Sequence, residues 1–151
     1  MKFNLLLLIL TTFTAVALSQ QLPPSTYLIQ SVITGGPWIE NTGISLGQPD
    51  AHGSDWVVTE LSSGNYLILD KSGKLAVQFE GVNKQVTLKP RNGSIAQEWI
   101  ISSTESGIYI CSGKVPIECI TPYPTPNIVN LITSPKVPIA LQMWEFIPAN
   151  S

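Results

Sequence analysis

Nine residues in the last third of the chain, Cys111-Ser112-Gly113-Lys114-Val115-Pro116-Ile117-Glu118-Cys119, carry the densest set of side chains able to do chemistry or to be recognised. In an oxidising compartment the two cysteines form a bridge by default. Closing so small a loop is worth roughly 2–3 kcal/mol, so the bridge tightens a hairpin rather than holding a domain together. Lys114 offers a cation to an acidic specificity pocket, with Val115 next to it and Pro116 stiffening the chain beyond. A stiff, extended loop loses little entropy on docking, which is what a substrate-like protease-binding loop requires. The same residues also describe a clamped hairpin with a solvated lysine at its turn.

Other groups yield less. The single histidine, His52, sits in the turn-rich stretch Pro49-Asp50-Ala51-His52-Gly53. A hydrolytic triad there would need Asp50 or Asp55 and a serine to converge, and no nucleophile turn or oxyanion loop accompanies them. One histidine and a bridged cysteine pair make no metal set. Ser72-Gly73-Lys74 and Ser112-Gly113-Lys114 lack the spacing of a phosphate loop and read as hairpin turns. No catalytic residue, metal or cofactor is expected. Pro122-Tyr123-Pro124-Thr125-Pro126 is a stiff loop with an aromatic at its centre, suited to stacking on a sugar face or a protein, or simply a connection between strands. Asn92-Gly93-Ser94 is an N-glycosylation sequon.

Secretion is expected from the first 19 residues, where Lys2 precedes the apolar run Leu5–Leu10 and the small-residue exit Ala17-Leu18-Ser19. The threonines at 11, 12 and 14 interrupt the apolar stretch, which is shorter than the roughly 20 residues a membrane span needs. Residues 1–19 are therefore read as a signal peptide and 20–151 as one secreted domain with no membrane segment. Without Lys2 the domain has seven basic and ten acidic side chains, no basic field for nucleic acid.

The elements that position these groups repeat three times. Trp56, Trp99 and Trp144 close look-alike segments 43 and 45 residues apart. Each segment opens on a tyrosine in an apolar run, around Tyr27, Tyr66 and Tyr109, and turns at a glycine. A second short apolar stretch follows. The third strand is matched as Ile44-Ser45-Leu46, Val86-Thr87-Leu88 and Val129-Asn130-Leu131, apolar residues alternating with polar as in a half-buried strand. Twelve prolines and the lack of any sustained helical stripe leave an all-β chain. Propellers typically close with four or more blades. Three four-stranded units, about twelve short strands, predict a β-trefoil with pseudo-threefold symmetry, its repeats at approximately 25–61, 62–104 and 105–149. The three tryptophans are expected in its core.

Gln97-Glu98-Trp99 and Gln142-Met143-Trp144 resemble the Gln-x-Trp pattern that ends each repeat of ricin-B-type lectins, with Ser54-Asp55-Trp56 in the first copy. That resemblance implies carbohydrate binding, through an aspartate near the start of a repeat and an asparagine close before the motif. Ser94-Ile95-Ala96 and Ile139-Ala140-Leu141 supply no such amide. The chain also resembles the fungal cospin-type serine-protease inhibitors, through Tyr27-Leu28-Ile29-Gln30-Ser31-Val32, Gln97-Glu98-Trp99-Ile100-Ile101 and the stretch from Leu131-Ile132 to Trp144-Glu145-Phe146. It departs from them in its cysteine pair. This likeness implies a reactive asparagine in the loop between the second and third strands of the first repeat, where Asn41 lies in Glu40-Asn41-Thr42-Gly43; ordinary turn chemistry also places asparagine there. The reading that results is a secreted, monomeric β-trefoil inhibitor of serine proteases, with Lys114, Val115 and Asn41 as contact candidates. The alternative is a ricin-B-like module whose partner is a glycan.

Overall fold

A computed structural model describes residues 22–149. The expected signal peptide lies outside them. Twelve strands follow one another, with 3-10 turns at Ile95–Gln97 and Ala140–Gln142. They are β1 (Ser25–Ser31), β2 (Trp38–Glu40), β3 (Ile44–Leu46), β4 (Trp56–Glu60), β5 (Tyr66–Leu69), β6 (Leu75–Gln78), β7 (Thr87–Pro90), β8 (Trp99–Thr104), β9 (Gly107–Ser112), β10 (Glu118–Pro124), β11 (Val129–Pro135) and β12 (Trp144–Pro148).

Six strands close a ring, β1–β4–β5–β8–β9–β12 and back to β1, every pairing antiparallel. The hairpins β2–β3, β6–β7 and β10–β11 complete the three units. This is the β-trefoil. Closure removes the open sheet edges that an all-β chain must otherwise protect. At the meeting point of the hairpins the Ile44 amide donates to the Val86 carbonyl at 3.1 Å and the Val86 amide to the Leu131 carbonyl at 2.8 Å. The β3–β11 ladder, with Ser45 opposite Asn130, forms the third side. Approach is close enough that a Cβ on Gly43 would lie 2.7 Å from the Gln85 amide nitrogen.

Trp56, Trp99 and Trp144 are fully buried, as is Trp38. The Trp99 indole donates to the Val77 carbonyl at 2.9 Å, and that of Trp144 to the Ile120 carbonyl at 3.2 Å. In the first unit Trp38 stands where those units have Val77 and Ile120, and its carbonyl takes the Ser54 amide instead. The indole nitrogens of Trp38 and Trp56 have no hydrogen-bond partner among the described residues. Edge-on packing of Trp38 against Trp56 and Trp144, at 5.9 and 5.2 Å between centroids, fills the space.

Two matches drawn from residue type shift in register. The triangle of hairpin bonds makes Leu131, not Val129, the counterpart of Ile44 and Val86. Tyr27 pairs with Trp56 and Tyr66 with Trp99, but Trp144 pairs with Ile108. Tyr109 is one residue out of phase. A one-residue slip sends a strand side chain to the opposite face, and Tyr109 packs outside the barrel with Cys111, Cys119 and Met143, under the Lys136 ammonium 4.5 Å from its ring centroid. Ile110, fully buried, keeps the barrel face apolar.

Candidate functional site

A polar side chain ends the first strand of every unit and shapes the turn that follows. Ser31 and Ser112 lie opposite Trp144 and Trp99 in their ladders, and Asp70 follows Leu69 into the same position. All three are buried. The Ser31 hydroxyl accepts the Thr34 amide at 3.3 Å. Asp70 accepts the Leu75 and Ser72 amides at 2.8 and 3.2 Å, and the Ser72 hydroxyl. Burial pushes the Asp70 carboxyl up, but these bonds outweigh it and leave its pKa below the usual value. The aspartate near the start of a repeat is thus spent on its own turn.

Ser112 works with the opposite polarity. Pro116 has no amide hydrogen, and the Ser112 hydroxyl donates to the Lys114 carbonyl at 2.8 Å while accepting the Glu118 amide at 3.4 Å. The bridge between Cys111 and Cys119 is formed. Above it Lys114 to Ile117 are exposed, Val115 at 81%. The loop therefore presents the Lys114 and Val115 side chains outward and turns the Lys114 carbonyl inward. A protease attacks a carbonyl carbon whose oxygen enters its oxyanion hole, so attack after Lys114 requires the Ser112 bond to break. Beneath the loop Glu118 is 5% exposed, its Oε2 has no partner among the described residues, and burial raises its pKa.

The Asn41 amide is engaged within its own hairpin. Its Oδ1 accepts the Gly43 amide at 3.0 Å and its Nδ2 donates to Ser45 Oγ at 2.8 Å. Lys114 and Asn41 lie on hairpins of different repeats. His52 is exposed, and Asp55 pairs with Lys71 at 2.8 Å. Among the described residues no group of three or more His, Cys, Asp or Glu side chains is placed to hold a metal ion. Asn92 is exposed, its Oδ1 accepting the Ser94 amide at 2.9 Å.

The glutamines of the two Gln-x-Trp copies are fully buried. Gln142 accepts the Val137 amide at 2.8 Å and donates toward Thr121 Oγ1, Ser134 Oγ and the Pro135 carbonyl at 2.9–3.0 Å. Gln97 accepts the Asn92 amide at 3.0 Å and donates to Gln78 Oε1 and the Pro90 carbonyl. Each tethers the chain crossing from a hairpin back to the barrel. They are fold residues, inaccessible to a ligand.

Tyr123 contrasts with every other described aromatic residue in being exposed, at 55%. On β10 it lies opposite Asn130, and its diagonal neighbour Ile132 shares its face. Tyr123, Ile132 and Asn83 of the second repeat line a cleft of about 480 Å³. Asn83 adopts a left-handed backbone, φ 57°, and its amide nitrogen donates to the Thr133 carbonyl at 2.8 Å, which fixes the turn against β11. Its side-chain amide makes no hydrogen bond with the described residues. The cleft offers an aromatic shelf, an aliphatic neighbour and a free amide, with no charged residue among the described residues that line it. Tyr123 was visible in the sequence as a stiff aromatic loop; Asn83, forty residues earlier, carried no signal for this site.

No protein-family model matches the chain, and no curated protein sequence is significantly similar. Solved structures match over most of its length. A mosquitocidal holotoxin matches at TM-score 0.74 and 15% identity over 85% of this chain, which spans only 18% of that longer one. The Rhizoctonia solani agglutinin matches at TM-score 0.67 and 17% identity, covering 85% of this chain and 97% of the agglutinin. SeviL, solved bound to the asialo-GM1 saccharide, matches at TM-score 0.69 and 16% identity, covering 85% of this chain and all of that one. At these identities the likeness establishes the shared fold.

Proposed function

We propose that this protein is a secreted, monomeric glycan-binding β-trefoil that receives the apolar face of a neutral sugar on Tyr123 and a sugar hydroxyl on the Asn83 amide. The carrying observation is the exposed aromatic ring beside a free amide in a cleft whose described lining residues carry no charge. Aromatic faces attract the polarised C–H groups of a pyranose, and one placed amide gives orientation. The agglutinin and the saccharide-bound SeviL among the structural neighbours support this reading over protease inhibition. The binding residues differ from those the ricin-B pattern implies. The test is a glycan array probed with the wild type and Tyr123→Ala: loss of the neutral-glycan signals with unchanged unfolding temperature supports the assignment, and an unchanged profile refutes it.

Secretion through residues 1–19 and glycosylation at Asn92 belong to the same reading. Mass measurement of the secreted protein before and after glycosidase treatment tests both.

Inhibition of serine proteases is the second reading, kept by one observation, the clamped loop that projects Lys114 and Val115. With the Lys114 carbonyl held by Ser112, blockade would proceed by occupying the protease cleft rather than by substrate-like presentation of the following bond. Titration against trypsin, chymotrypsin and subtilisin decides it. Stoichiometric inhibition abolished by Lys114→Ala assigns the bridged loop, inhibition abolished by Asn41→Ala assigns the first-repeat hairpin, and no inhibition at micromolar protein ends this reading.

A further inference from the structure

One amide beside the Tyr123 cleft has its orientation decided by the other two repeats. Asn130 lies on β11 between β10 and β3, directly opposite Tyr123 on one side and Ser45 on the other. Side chains two apart on a strand share a face, so Asn130 stands next to Ile132, which lines the cleft. The Asn130 Oδ1 accepts Gln85 Nε2 at 3.1 Å and Ser45 Oγ at 3.5 Å. Both neighbours are committed as donors. Gln85 Nε2 also donates to the Ile44 main-chain carbonyl at 3.4 Å, a group that can only accept, so Gln85 presents its NH₂ here. On the other side the Gly43 amide donates to Asn41 Oδ1 at 3.0 Å, which turns the Asn41 Nδ2 to donate to Ser45 Oγ at 2.8 Å. The Ser45 hydroxyl hydrogen is left for Asn130.

With its oxygen held toward β3 and the β6–β7 connection, Asn130 turns its NH₂ toward β10, where Tyr123 lies opposite. Reversing the amide would set that NH₂ against the Gln85 NH₂. The half-buried Asn130 therefore brings to the cleft a donor that cannot become an acceptor, and this donor has no partner among the described residues. Beside it Ile132 and the exposed Tyr123 ring offer apolar surface. A carbonyl oxygen carrying a methyl group matches that pair, and the lack of a cation among the described lining residues favours a neutral carbonyl over a carboxylate. We infer that Asn130 is a specificity-determining residue of the Tyr123 cleft, donating to the carbonyl of an acetamido substituent on a neutral sugar whose methyl group covers Ile132. Gln85 and Ser45 are positioning residues that act through it. The inference rests on the glycan-binding reading of this cleft.

The probes are two matched pairs of methyl β-glycosides, N-acetylglucosamine with glucose and N-acetylgalactosamine with galactose, titrated into the ¹⁵N-labelled protein. In at least one pair the acetamido sugar is expected to bind roughly fivefold to tenfold more tightly, from one net hydrogen bond and a covered methyl group. It should also move the side-chain NH₂ signals of Asn130, which its counterpart leaves in place. Asn130→Asp keeps an acceptor for Gln85 and Ser45 but removes the donor, so the unfolding temperature should hold and the preference vanish. Gln85→Leu lets the amide rotate, and an NH₂ facing the cleft about half the time lowers the preference itself by about twofold. Equal affinities within both pairs while Tyr123 signals still move, or an undiminished preference in Asn130→Asp, overturns this inference and leaves glycan binding at Tyr123 standing. Failure of all four sugars to move Tyr123 overturns both. Should Asn130→Asp not fold, the Asn130 NH₂ signals of the wild type decide: shifts with the acetamido sugar alone support the inference, and their absence overturns it.

Discussion

Replacing Gln142 by alanine separates a folding role for the Gln-x-Trp glutamine from a binding role. Its side chain can make three full hydrogen bonds at once, accepting one amide and donating two hydrogens among three acceptors within 3.0 Å. Each is worth about 1 kcal/mol net, and the Val137 amide and Pro135 carbonyl left behind add desolvation penalties where water cannot replace the lost partner. The expected cost is therefore roughly 3–5 kcal/mol, a large part of the 5–15 kcal/mol that holds a domain together. At about 4 °C per kcal/mol for this size, the unfolding temperature falls by roughly 12–20 °C. Urea unfolding followed by tryptophan fluorescence measures it, and an unchanged slope would show that the folded and unfolded surfaces are preserved. Glycan binding measured well below the transition should be retained. A cost under about 1 kcal/mol accompanied by lost binding would refute the reasoning and return the glutamine to the ligand site.

Two further outcomes follow from the core. Trp99→Phe strands the Val77 carbonyl, whereas the Trp56 indole has no partner among the described residues, so Trp99→Phe should cost about 1–3 kcal/mol more than Trp56→Phe in the same unfolding assay. Glu118 has its pKa raised by burial, so the folded state holds its proton more tightly than the unfolded chain. Stability from this group is full below the ordinary glutamate range and declines as pH rises to the folded value. Glu118→Gln should therefore raise the unfolding temperature at neutral pH and flatten its decline between acid and neutral pH; a lower melting temperature at neutral pH contradicts this.

The architecture was legible because three tryptophans at near-equal spacing can only report a repeat, and three four-stranded units suit a six-stranded barrel. Register was less so. Matching tyrosines by type aligned Tyr109 with Tyr27 and Tyr66, but the faces of a strand are set by what lies opposite, and Ile108 holds that place against Trp144. Trp38 went unnoticed as a core residue because no counterpart repeats it. The groups that define the candidate cleft come from different units: Tyr123 stands out as an aromatic among prolines, while Asn83 becomes relevant only once the β6–β7 connection packs against β11. The bridged loop was foreseen in its covalent form; the inward turn of the Lys114 carbonyl depends on a buried serine whose role the sequence does not mark.

The most direct test of glycan recognition is a titration of the ¹⁵N-labelled protein with a neutral oligosaccharide selected from the array. The account predicts saturable shifts confined to Asn83, Tyr123 and Ile132 with their neighbours, abolished by Tyr123→Ala. Shifts centred on any other surface, or persisting in that variant, would contradict it.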